Sequence, residues 1–420
     1  MTAPPILAAL RKHKAGVFLI GLQIALTLAI VCNILFIVGQ KVERIHRPTG
    51  LVENDLFMIS QNYVGAPSGT DPAAVEKLDA MQLTDLAALR DLPDVQSATP
   101  INTLPLLRNV DMTHVSLQPD QAHSMTRANL FTGDQQLLPT FGLQLIAGRN
   151  FTGADVRHRA VGQKPEPPVV IVSRALATKL FPRGDAVDQP IYLNGSTAPS
   201  TIVGVVARIL TANADGDDAY AYDAVLLPVR TDDASTMYAV RAKPGRMRDA
   251  MHEVREALFK VDPMRVIPPG GRYEPEGLRT FAQVRAWGYA LDGLMVRILS
   301  VICVILLVIT GVGMTGLTSF WVNQRHKQIG IRRALGATKA NILHYFQLEN
   351  LVIAAGGCLV GVVLAIGINL MLLRMFQMDR MPVWYVLAGV GVILTLGQIA
   401  VFAPARRASN VPPVVATRTV

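Results

Sequence analysis

The sequence predicts an α+β domain held outside a membrane by a four-helix transmembrane domain. Three observations predict it. Four long runs carry no charge, the stretch between the first two mixes short strands with helices, and lysine and arginine gather on three of the short flanks. The 420 residues are half hydrophobic and 17% charged, below the roughly 25% of soluble domains. The mean hydropathy is +0.33.

Residues 1–14 form a short basic segment with Arg11, Lys12 and Lys14. The uncharged runs are 15–39, 298–322, 351–373 and 381–403. About 20 helical residues cross ~30 Å of hydrocarbon, so each run is long enough to span. With their apolar flanks the spans are 15–39, 294–322, 348–373 and 381–403. The first is too long for the roughly 7–15-residue apolar region of a cleaved signal peptide, and no small-x-small cleavage site precedes Lys41. It reads as an uncleaved signal anchor.

Orientation follows from the flanks. The segment 323–347 carries Arg325, Lys327, Arg332, Arg333 and Lys339, and the tail 404–420 carries Arg406, Arg407 and Arg418. The connector between spans three and four has Arg374 and Arg380 offset by Asp379. Both termini and the 323–347 segment are therefore expected in the cytoplasm, with 40–293 outside. The net charge of +9 and pI near 9.6 reflect this topology rather than nucleic-acid binding.

The outside domain has no cysteine; Cys32, Cys303 and Cys358 all lie in spans. Its stability must come from its own core. Strands are expected at 56–64, 169–172, 202–206, 224–229 and 237–241. Helices are expected from Thr84 or Asp85 as N-cap to Leu92, over 174–180 after Ser173, and over 246–261. The outer pieces 56–100 and 235–268 read as halves of one subdomain, with an insertion at about 101–234. The acidic stretch 213–222 lacks calcium-loop spacing and reads as a solvated turn. A helix from about Pro275 should run into span two, and 40–47 should prolong span one, making a stalk. Trp287 and Tyr289 suit a membrane-interface belt, and Asp292 and Arg297 suit anchors.

No Walker A loop, G-x-S-x-G, H-E-x-x-H or C-x-x-C occurs, and no histidine pairs at metal-ligand spacing. Neither a catalytic ectodomain nor a cofactor site is indicated. Gly311, Gly313 and Gly316 match a dinucleotide pattern inside an apolar span, so they read as helix-packing positions, as do Gly357 and Gly361. With no acid inside the uncharged runs and no ATP site, the energy for any work must come from a partner. In the basic segment, 329–335 can form a helix ended by Gly336, and Thr338 can cap a second helix carrying Ile342, Leu343 and Phe346.

One span, a large outside domain and three more spans is a layout that resembles the MacB/FtsX-type ABC permeases. Residues 328–343, QIGIRRALGATKANIL, carry the sharpest likeness, with Glu349 matching an acid before span three. Residues 83–100, 145–155, 169–182 and 201–207 are similar to the MacB-like periplasmic core, and 404–418 to the family's ending. The resemblance implies a multi-pass bacterial inner-membrane permease with a periplasmic domain. It would be a split form whose ATPase is a separate subunit that binds the ATP, so the chain itself needs no cofactor. Partners would be that ABC ATPase, a second permease chain (homo- or heterodimer), and a periplasmic adaptor with an outer-membrane channel. ATP-driven motion would pass by mechanotransmission to the periplasmic domain and export substrate. A lipoprotein-releasing permease and an FtsX-like regulator of a cell-wall hydrolase share the layout. The implied coupling residues are Gln328, Ile329, Gly330, Ile331, Arg332, Arg333, Leu335, Gly336, Ala337 and Glu349. Gln328 departs from the family's E-I-G-I-R pattern, which has an acid there.

Overall fold

The computed structural model describes residues 14–67, 71–109, 111–119, 121, 125–212, 218–270, 276–376 and 379–410. Arg11, Lys12 and Arg418, part of the acidic stretch 213–222, Pro275 and the end of the tail lie outside them. The chain divides into two compact units, Arg47–Ala290 and a second formed by the flanking segments.

Helix α1 (Lys14–Ile45) precedes the first unit. There, β1 (Leu56–Asn62), α2 (Pro72–Arg90) and β2 (Val95–Ile101) come first. The insertion follows, with β3 (Met112–Ser116), β4 (Thr126–Thr132), α3 (Leu137–Phe141), β5 (Leu145–Gly148) and β6 (Arg157–Ala160). It continues through β7 (Val169–Ser173), α4 (Arg174–Leu180), β8 (Pro190–Leu193), β9 (Ser200–Val206), β10 (Ala224–Leu227) and β11 (Val229–Asp232). The chain returns as β12 (Ser235–Ala242), α5 (Met247–Val261), β13 (Leu278–Thr280) and α6 (Phe281–Gly288).

The two outer pieces build one antiparallel sheet in the order β13-β1-β12-β2. Successive strand residues face opposite sides. In β1, Phe57 and Ile59 join Leu86, Leu89 and Val254 of α2 and α5. Leu56 and Met58 join Phe131, Phe141 and Phe281 on the other side. Both faces are covered, so the strand opens as a continuous apolar run.

The insertion forms a seven-stranded sheet, β5-β9-β7-β10-β4-β3-β8, with an added β8–β9 pairing. That pairing, Ile191 opposite Ser200, closes six strands into a ring and leaves β5 outside on β9. Side chains from all six strands, among them Val115, Leu130, Val172, Ile191, Ile202 and Val225, meet in one cluster. Ser173 caps α4 by accepting from the Leu176 amide at 3.3 Å. The strand expected at 224–229 breaks at Pro228, which has no N–H for a ladder. Beyond it β11 pairs in parallel with β6 as a separate ribbon.

Several expectations need correction. The helix expected to start at Thr84 starts at Pro72. Thr84 lies within it and bonds the Ala80 carbonyl. Asp85 is no cap: its carboxylate takes both Arg265 nitrogens at 2.8 and 2.9 Å, with Gln61 and Tyr63 at 2.6 Å each. That pair is fully buried. Burial, reinforced by Asp85, pushes the Tyr63 hydroxyl well above its usual value. The continuous helix expected from Pro275 into span two is interrupted, because α6 ends at Gly288 and the next helix begins at Ala290. Tyr289 is buried rather than set in an interface belt.

The second unit contains α1, α7 (Ala290–Gln324), α8 (His326–Ala334), α9 (Lys339–Phe376) and α10 (Val383–Ser409). Four of these are long and apolar enough to cross a membrane. α1 sits at the centre: Ile24, Leu28 and Cys32 pack with Met314, Ile353, Cys358 and Ile393 from the other three. Gly357 and Gly361 lie at the α1–α9 crossing, where an added Cβ would meet the Gly21 carbonyl at 2.9 Å and the Ala25 backbone at 3.0 Å. Small residues let the backbones approach this closely. An added Cβ would meet Gln23 at Gly313 and Leu396 at Gly311, and nothing within 4 Å at Gly316. Asp292 is buried, with Lys41 Nζ 2.6 Å from its carboxylate. This clasp joins α1 to α7 near the points where the chain leaves for, and returns from, the first unit.

Candidate functional site

The segment between spans two and three is built on α8. Arg325 is the single residue separating α7 from α8. Its Nη1 donates to both Glu349 oxygens, at 3.0 and 2.9 Å. Glu349 lies inside α9 and is only 2% exposed. The link between α7 and α8 is thus pinned to α9 by a charge-assisted contact away from water.

α8 ends as its sequence dictates. Gly336 takes φ +97°. Its amide bonds the Arg333 carbonyl at 3.2 Å, and the Ala337 amide bonds the Arg332 carbonyl at 3.0 Å. These are the paired bonds of a Schellman terminus, which needs positive φ at this position. Thr338 Oγ1 then accepts from the Asn341 amide at 3.2 Å and caps α9. The second helix of the expected pair is therefore the first part of α9 and runs unbroken into span three.

The ten proposed coupling residues divide by face. Ile329 packs inward with Val322, Ile342, Phe346, Val401 and Ala405. Gly330 is buried, and Arg333 donates to the Ser409 carbonyl at the end of α10. Glu349 is buried as well, so it acts on this segment from inside. Gln328, Ile331, Arg332 and Leu335 are exposed. Their spacing of i, i+3, i+4 and i+7 places them on one stripe of α8. Ile331 is 52% and Leu335 83% exposed, large apolar side chains left open beside a basic one.

A groove of about 200 Å³ lies between α8 and the first turns of α9, lined by Arg325, Gln328, Ile329, Arg332, Ala337, Asn341, Ile342, Tyr345 and Phe346. The Arg332 guanidinium lies 4.9 Å from the Tyr345 ring centroid, a cation–π distance that draws the side chain toward the groove. Asn341 and Tyr345 are the lining residues that sequence reasoning missed. A signal existed: Ile342, Tyr345, Phe346 and Glu349 repeat at i, i+3, i+4 and i+7. The arrangement offers a firmly held helix with an apolar and basic outer face. It suits protein docking rather than bond-making chemistry.

The sequence profile of the FtsX-like permease C-terminal family matches residues 300–413, which include all of α8. That of the MacB-like periplasmic core domain matches residues 19–257, more than half of the chain. The chain belongs to this MacB-like family. Among its curated relatives, the macrolide export ATP-binding/permease protein MacB of Neisseria gonorrhoeae is 26% identical over 350 residues, 80% of this chain and 49% of the relative. The pyoverdine export ATP-binding/permease protein PvdT of Pseudomonas syringae pv. syringae is 25% identical over 84% of this chain and 49% of its own length. The probable syringafactin export protein SyfD of Pseudomonas syringae pv. tomato is 25% identical over 97% of this chain and 57% of its own. This MacB-family chain spans about half the length of the curated relatives it matches. The crystal structure of the periplasmic region of MacB from Actinobacillus actinomycetemcomitans aligns with 58% of this chain and 97% of itself, at 15% identity and a TM-score of 0.35. Four membrane-length helices with a MacB-like periplasmic core fit an inner-membrane permease.

Proposed function

We propose that this chain is the permease part of an ABC transporter and that the outer face of α8 receives an ABC ATPase. ATP is bound by that partner, and its closure moves α8. The observation that carries the reading is the exposed stripe Gln328–Ile331–Arg332–Leu335 on a helix tied inward at both ends. Arg325 ties one end to Glu349 and Arg333 ties the other to the Ser409 carbonyl. Motion imposed on α8 would be passed to α7, α9 and α10 rather than absorbed by a loose loop.

From there the route to the periplasmic domain runs along α1 and α7, the helices that enter and leave it in sequence. The Lys41–Asp292 clasp favours their moving together. In this reading both termini and the α8 segment are cytoplasmic, two permease chains serve two ATPases, and a periplasmic adaptor with an outer-membrane channel completes the exporter. Export of substrate from the periplasm or outer leaflet is the function this supports best. Gln328, where the family resemblance implies an acid, makes the docking face less acidic and suits a partner surface with fewer basic groups.

The test is co-purification of the ABC ATPase with the chain in mild detergent. Leu335→Asp places a charge on the stripe without touching the Arg325–Glu349 pair, and Gly336→Pro disrupts the turn. Both should reduce recovery of the ATPase about tenfold or more while the chain still inserts in the membrane. Unchanged recovery with both variants would overturn the assignment.

A further inference from the structure

We propose that Asp79, His158 and Asp232 form a binding site for a divalent cation of the zinc class at the joint between the four-stranded sheet's helix α2 and the β6–β11 ribbon of the insertion. One ligand atom from each of the three residues lies within 4.8 Å of the other two. A zinc ion takes nitrogen and carboxylate oxygen ligands at about 2.0–2.2 Å, so small side-chain movements would bring the three onto one ion, with water in the fourth position. Asp79 projects from α2, His158 from β6 and Asp232 from β11, so each element supplies one ligand.

Two independent observations point to a missing ligand. Asp232 is 2% exposed and its Oδ2 lies 2.9 Å from His158 Nδ1, yet its other oxygen, Oδ1, is buried with no hydrogen-bond partner. Gln82, one turn beyond Asp79 on α2, donates to the carbonyl of Thr231 beside Asp232. Its own Oε1 is also buried and unpartnered. Two orphaned acceptors at one joint are costly to bury unless a cation or water serves them.

The surrounding groups favour a cation. Arg230 directs both its bonding nitrogens, at 3.0 and 2.6 Å, to Oδ1 of Asp79, which leaves Oδ2 for a further partner. Glu76, Asp79 and Asp232 bring three carboxylates against two guanidiniums, Arg230 bonded to Asp79 and Arg159 within electrostatic reach of Asp232. A metal on His158 Nδ1 puts the ring proton on Nε2, and Nε2 lies 3.8 Å from the Glu76 carboxylate. Metal-bound histidines carry a carboxylate on the second nitrogen, a place the exposed Glu76 side chain would take by closing from this distance. The His158 side chain is one-third exposed, which gives the ion a route in. One imidazole with carboxylates suits zinc better than calcium or magnesium, which favour all-oxygen shells. An ion here would staple the insertion to α2.

The test uses the full chain in detergent, stripped with EDTA and titrated with zinc, with bound metal measured by mass spectrometry. About one zinc per chain is expected. Asp232→Asn and His158→Gln should each weaken binding at least about tenfold. His252→Ala, which removes an exposed histidine on α5, should leave binding unchanged. A parallel melt separates binding from misfolding: zinc should raise the unfolding midpoint of the parent chain and not that of His158→Gln. No zinc bound by the parent chain, or equal binding and equal midpoint shifts in parent and His158→Gln, would overturn the site and leave water as the occupant of the joint.

Discussion

Replacing Glu349 by alanine should release α8 from the bundle. The carboxylate is 3% exposed and Arg325 11% exposed at the side chain, so the pair is largely shielded from water. Breaking a buried pair by removing one partner costs about 3–5 kcal/mol, because the other charge is stranded. Arg325 retains some access to solvent, so we take the lower figure, about 3 kcal/mol. At about 1.4 kcal/mol per decade, local opening of α8 should rise roughly a hundredfold. Amide hydrogen exchange resolved on the His326–Ala334 peptide reads that opening directly. The double variant Arg325→Met with Glu349→Leu removes both charges and should recover most of the protection. Protection of the α8 amides unchanged within about threefold in Glu349→Ala would refute the idea that this pair holds the helix.

Asp85→Ala should cost the periplasmic unit about 3–5 kcal/mol, since Arg265 would be left buried, and a large drop in its thermal midpoint checks this. Gly357→Val should destabilise the α1–α9 crossing by about 1–3 kcal/mol through contact with the Gly21 carbonyl, whereas Gly316→Ala, which faces open space, should not; thermal unfolding in detergent compares the two. Asp155 is held at a pKa of about 2, chiefly by Arg149, with further bonds from the Thr152 amide and hydroxyl. Its folded value lies below the ordinary 3.8, so its stabilisation is present above about pH 4 and is lost as pH falls toward 2. Asp155→Asn should therefore be less stable than the parent at neutral pH, by about 1–2 kcal/mol, and denaturant midpoints should converge between pH 4 and 2.

What the sequence revealed followed from how local each signal was. Each span is an uncharged run of membrane length, and Gly336 and Thr338 mark the α8–α9 turn by their own backbone and side-chain preferences. The start of α2 is illegible because Asp79, Gln82 and Asp85 interrupt the apolar stripe on its buried face. Asp79 and Asp85 are buried only because Arg230 and Arg265, more than 150 residues away, meet them. The histidine at 158 resembled a stray for the same reason, since its acidic neighbours are 79 and 74 positions distant. Glu349 could be matched to a family position, but its burial depends on Arg325, which nothing in the local pattern identifies. Closure of the six-stranded ring rests on β8 finding β9 as well as β3, a pairing that hydrophobic alternation does not encode.

Ile101 and Met237 stand opposite each other across the β2–β12 ladder. The chain therefore departs for the whole insertion and comes back to almost the same point, about 5 Å away. A tight hairpin turn could span that gap, so the insertion is topologically a graft between two neighbouring strands. What holds the graft in place is the apolar sheet face with Leu56, Met58 and Ala239, which it covers. Excising it would require those residues to be recoloured as polar, and evolution could exchange it for another module under the same condition.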